Sequence, residues 1–116
     1  MGPLKQNLEV WSDITFRETV EVTLDGAPQD WTGWTDFELL VVENVFATVA
    51  KFTGTVTQPA AGQLQLEFAE ADLAACFPAG ETTAVRRYPY VLRVKPTGTY
   101  RIRLMYGVLE IQKGLA

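Results

Sequence analysis

Histidine is absent from the 116 residues, and cysteine occurs once, at Cys76. Without histidine neither a Ser-His-Asp triad nor a Cys-His pair can be assembled, and the common zinc sites lose their usual nitrogen ligand. A single cysteine excludes an intrachain disulfide and any cysteine-rich metal cluster. Long apolar runs are missing too. Leu39-Leu-Val-Val42 is among the longest, far below the roughly 20 residues a membrane-crossing helix needs. The opening Met1 to Asn7 has no apolar stretch of the secretory kind, Gly2 lacks the later Ser or Thr of a myristoylation signal, and neither asparagine starts an Asn-x-Ser/Thr acceptor. These absences lead us to expect a non-enzymatic protein with no cofactor, no metal and no membrane partner, made in a cytoplasm.

What is present is globular in composition: 47% hydrophobic and 21% charged residues, outside the disordered range. The length fits one domain, residues 1–116, large enough for a core without staples. The dominant period is two. Val20, Val22 and Leu24 alternate with polar residues, as do Leu64, Leu66 and Phe68. Tyr88, Tyr90, Leu92 and Val94 form a third apolar row, and Tyr100, Ile102, Leu104 and Tyr106 a fourth. Such alternation predicts strands with one face in a core. Phe37 to Val42 is apolar on both faces, as a central strand would be.

Turn residues punctuate the rows at Asp25-Gly-Ala-Pro28, Pro59-Ala-Ala-Gly62 and Lys95-Pro-Thr-Gly98. The last row changes phase near Gly107, where a β-bulge with glycine at positive φ would account for the shift. Residues 69–77 are alanine-rich, with Leu73 and Phe77 four apart and Pro78 and Gly80 behind them, which predicts one or two helical turns. The expected fold is all-β, an immunoglobulin-like sandwich of about seven strands with one short crossing helix.

Chemistry-bearing groups are sparse. Near pairs of carboxylates occur at Glu18/Glu21, Asp36/Glu38 and Glu70/Asp72. Asp36 and Glu38, two apart on a strand, could share a face, but a solvated strand face has the same pattern. Asp25, Asp30 and Asp36 lack the dense oxygen spacing of a calcium loop, and Asp25-Gly26 reads as a hairpin turn. Cys76, near the end of its helix rather than the start, reads as a small buried hydrophobe. Trp31 and Trp34 flank Thr32-Gly33; core packing is the favoured role, and a sugar-stacking platform the alternative.

Charge is distributed unevenly. Residues 1–81 carry 13 acidic and 3 basic side chains, a balance of −10, and residues 82–116 carry 1 and 7, a balance of +6. Arg93 and Lys95 would lie beside Arg101 and Arg103 in a hairpin turning at Pro96–Gly98. Like charges across strands repel, so acidic groups are expected nearby. One source is a neighbouring strand carrying Asp36 and Glu38. The other is an acidic patch on a second copy or a partner, which makes Arg93, Lys95, Arg101 and Arg103 interface candidates. Nucleic acid is not expected, given the net charge of −4.

In order along the chain stand Thr15-Phe-Arg-Glu-Thr-Val20, Asp25-Gly-Ala-Pro28, Asp30-Trp-Thr-Gly-Trp34, Glu70-Ala-Asp-Leu73, Tyr88-Pro-Tyr-Val-Leu92 and Gly107-Val-Leu-Glu-Ile111. This succession resembles the N-terminal domain of phage baseplate upper proteins and related small prophage proteins. Trp31 and Trp34 stand where that pattern has leucine and alanine, and Val91 where it has an acidic residue. The resemblance implies an immunoglobulin-like structural module of a phage or prophage particle, in the tail or baseplate. Its expected partners are other virion proteins, with a homo-oligomer possible, and it carries over no catalytic residue. The competing reading is a small carbohydrate-binding module built on Trp31 and Trp34.

Overall fold

The computed structural model describes residues 4–96 and 100–115. The turn expected at Lys95–Gly98 falls partly outside the described residues. In chain order the strands are β1 (Leu4–Lys5), β2 (Leu8–Trp11), β3 (Phe16–Glu21), β4 (Thr23–Leu24), β5 (Ala27–Pro28), β6 (Thr35–Val41), β7 (Phe52–Thr57) and β8 (Gln63–Phe68). Helix α1 (Glu70–Ala74) follows, then β9 (Val85–Lys95) and β10 (Ile102–Gln112). The protein is all-β with one short helix, as the period-two rows predicted.

Strand pairing runs unbroken through β1-β10-β9-β6-β7-β8-β3, with β2 also on β10. β1 and β2 lie parallel to β10, and every other pair is antiparallel. The result is a mixed sheet that curls. Its corner is β7, whose Phe52 to Gly54 pair with β6 and whose Thr55 to Thr57 pair with β8. Gly54 marks the switch: a Cβ there would stand 2.6 Å from Leu39 Cδ2 and 2.7 Å from the Glu67 carbonyl oxygen. A strand that changes neighbours at a tight corner needs that missing side chain.

The curl folds around one core. Leu64, Leu66 and Phe68 from β8 join Tyr88, Tyr90, Leu92 and Val94 from β9, all buried, with Leu39 and Val41 of the central β6. Leu73 of α1 and Cys76 close the same cluster. Each predicted apolar row of β8 and β9 therefore faces inward, because a period of two places alternate side chains on one face. Among the described residues the pairing comprises an eight-stranded curled sheet and a separate β4–β5 pair, ten strands in all, three of them only two residues long.

Two local expectations need correction. The register shift in β10 lies between Arg103 and Met105, which puts Leu104 and Met105 both in the core, and Gly107 sits in regular register opposite Tyr90. Gly107 is also outside the positive-φ set. Its role is close approach: the chain between β1 and β2 crosses it, and a Cβ would fall on the Gln6 carbonyl oxygen. The crossing is tied by Gln6 N–H to the Tyr106 carbonyl at 2.9 Å and by Val108 N–H to Asn7 Oδ1 at 3.1 Å. The fourth row is also broken early, because Tyr100 precedes the strand and is 65% exposed. The Asp25-Gly26 turn is a hairpin as expected. Both residues have positive φ, 54° and 80°, joining β4 to β5 in the type I′ manner that matches strand twist.

Candidate functional site: the two ends of β6

β6 enters the sheet between β9 and β7 with a bulge. Thr35 is opposite Lys95 but Glu38 is opposite Arg93, so β6 holds one more residue than its partner, and Asp36 takes φ 55° there. Aspartate tolerates the left-handed region better than most residues, and a bulge re-aims side chains. Asp36 and Glu38, two apart along the strand, both reach one cation beside this bulge. Arg101 Nη1 lies 2.9 Å from Glu38 Oε1, and its Nη2 lies 4.0 Å from Asp36. Arg93 Nε donates to the same Glu38 oxygen at 3.0 Å, and Lys95 Nζ stands 3.4 Å from Asp36.

Of the four interface candidates, Arg93, Lys95 and Arg101 are thus held within the chain, by the neighbouring strand. Arg103 sits opposite Arg93 in register, exposed, with no salt bridge among the described residues. Two carboxylates against four cations leave the patch with a surplus of positive charge. These pairs are a third to a half exposed, so each is worth about 0–1 kcal/mol.

The tryptophans stand at this same end. Gly33, with φ 82°, lets Trp34 N–H reach back to the Trp31 carbonyl at 3.0 Å. The two rings meet edge to face at 5.0 Å, and Trp31 meets Phe37 of β6 likewise at 5.6 Å. Trp31 Nε1 donates to the Gln63 carbonyl at 3.2 Å, and both indoles pack half-buried on the core. Crossed rings with the N–H of Trp31 already engaged do not present two coplanar faces. Asp30 accepts from Thr32 N–H and Oγ1, at 2.9 and 2.7 Å, and those bonds hold its carboxyl below the usual range. Among the described residues no group of three metal-ligating side chains gathers.

The other end of β6 was not singled out from sequence. β6 stops at Val41 because the next position, Val42, faces Pro89 of β9. Val42 N–H donates to the Pro89 carbonyl at 3.0 Å, but proline has no N–H to return the bond. The chain leaves the sheet there and returns at Lys51, whose N–H meets the Val41 carbonyl at 2.6 Å. A Lys51–Glu43 ion pair of 3.0 Å closes the base, and the ammonium lies 5.1 Å from the Tyr88 ring centre. That carboxylate holds the Lys51 pKa above its ordinary value. Inside the loop, Asn44 accepts from Phe46 N–H through Oδ1 (2.9 Å) and from Ala47 N–H through its carbonyl (3.1 Å). On this braced scaffold Val45, Phe46 and Val49 are 75%, 87% and 75% exposed. Pro89 signals the loop only once β6 is known to lie beside β9.

Cys76 lies beneath Lys51, buried, with its thiol on the Asp72 carbonyl at 3.5 Å. Burial raises its pKa despite the nearby ammonium, which is the condition of a structural thiol.

Compared with known proteins, the chain matches no family model and no curated sequence.

Proposed function

We propose that the chain is a non-enzymatic assembly module of a phage or prophage particle, in the tail or baseplate, that docks to other virion proteins. The reading includes the immunoglobulin-like version of the curled all-β fold. It draws on the ordered motif series from Thr15 to Ile111 described above, and one structural observation carries its docking part. Val45, Phe46 and Val49 project from a braced loop, a clustering of apolar side chains that marks interaction surfaces. Aromatic anchors held in one geometry lose little entropy on binding. The positive surplus around Arg103 offers a second, steering contact.

Pull-down of neighbouring tail proteins by the purified chain is the test. Phe46→Ser and Arg103→Glu should each leave folding intact, the first abolishing capture and the second slowing it in a salt-sensitive way. Full capture by the Phe46→Ser/Arg103→Glu double variant, or capture by neither wild type nor variant, refutes the reading.

A further inference from the structure

The sheet path ends at β3, which pairs with β8 along one side. Among the described residues no backbone hydrogen bond reaches residues 16–21 from the other side. An open strand edge is a template for another strand, and the charge order on β3 selects which one. From the geometry we infer that β3 pairs antiparallel with β3 of a second copy, about a two-fold axis at Thr19. The inference concerns the isolated chain and stands apart from the docking reading.

The register follows from requiring each face of the joined sheet to stay continuous. Phe16, Glu18 and Val20 share the inner face, and Arg17, Thr19 and Glu21 the outer one, so residue numbers facing across the axis must sum to an even value. Centring on Arg17 or Glu18 sets like charges directly opposite, and centring on Val20 leaves Arg17 without an acidic partner. Centring on Thr19 sets Arg17 against Glu21 of the second copy, and the axis repeats that pair. It also sets Phe16, half-buried at the end of β3, against the half-buried Val22.

Arg17 is suited to the role. Its Nε already holds Glu67 Oε1 at 2.6 Å while the side chain stays 57% exposed, so both terminal nitrogens remain free for a further carboxylate. Glu21 is exposed and makes no salt bridge among the described residues. Glu18 is the opposing element. It is an exposed charge on the inner face, and in this register it meets Val20 of the second copy. Desolvating it keeps the association weak and reversible, as inward charges on natural edges do.

Sedimentation equilibrium of the purified chain up to high concentration tests the pairing. Arg17→Glu and Glu21→Arg should each weaken the dimer about tenfold, since every reversal counts twice across the axis. Arg17→Glu/Glu21→Arg should restore it, and Glu18→Val should tighten it about tenfold. Under mild oxidation Thr19→Cys should form a linked dimer, because residues on the axis bring their Cβ atoms together, while Glu21→Cys should not. A monomer at every concentration, a charge swap that fails to restore association, or equal cross-linking at the two cysteine positions overturns the inference. The cysteine comparison keeps it testable if a reversal impairs folding.

Discussion

The two ends of β6 make opposite use of their side chains. At its start, Asp36 and Glu38 gather Arg93, Lys95 and Arg101, and Trp31 packs on Phe37, so charge and aromatic surface are satisfied within the chain. At its finish, the loop after Val41 is braced by polar contacts while its apolar side chains face water. In the patch that looked most like a contact surface in the sequence, three of the four cations are paired within the chain. The loop of ordinary composition is the one left unsatisfied. Charge attracts partners from any strand the fold brings near, whereas an exposed Phe46 can be covered only by another surface.

The comparison breaks if the start of β6 proves dispensable. Trp31→Ala should cost about 3 kcal/mol, the lower end of the range for large aromatics, since the ring is half-buried. Urea denaturation measures it, and a change under 1 kcal/mol would mean that the ring packs on nothing of consequence.

Alkaline titration sharpens the contrast between buried and exposed polar groups. Burial, with a smaller contribution from Glu18, pushes Tyr90 up to about 12, and its hydroxyl donates to the Gln6 carbonyl. A raised pKa means the folded state holds this proton more tightly than the unfolded chain. Its contribution is complete below about pH 10 and is lost as pH rises toward 12, amounting to about 2–3 kcal/mol. The loss of stability across this window should be shallower in Tyr90→Phe than in the wild type, by that amount.

Within the ion network, Arg101→Glu should destabilise by about 1 kcal/mol, because it sets a third carboxylate against Asp36 and Glu38. Adding Glu38→Lys should recover part of that loss in thermal melts, and high salt should shrink both effects. The smallest change belongs to the loop. Phe46→Ser should alter stability by no more than about 0.5 kcal/mol, and a larger loss would show that the ring is packed in solution.

Local patterns carried much of this architecture. The rows Leu64-Leu66-Phe68 and Tyr88-Tyr90-Leu92-Val94 reveal their inward face through a period that belongs to the backbone itself. Asp25-Gly26 names its turn because few other residues accept positive φ twice in succession, and Leu73, four before Phe77 and followed by Pro78, marks a helix that must stop. Each of these depends on neighbours within a few residues. What lay beyond the sequence depended on residues far apart in it. The parallel seating of β1 and β2 on β10 joins segments about a hundred residues distant, and it turns Gly107 from an expected bulge into a crossing point for Gln6. The strand order, with β6 beside β9 and β9 beside β10, decided that Arg93, Lys95 and Arg101 would find carboxylates within the chain. Pro89 became meaningful once β6 lay beside it, since a missing N–H has no consequence until a carbonyl comes to face it.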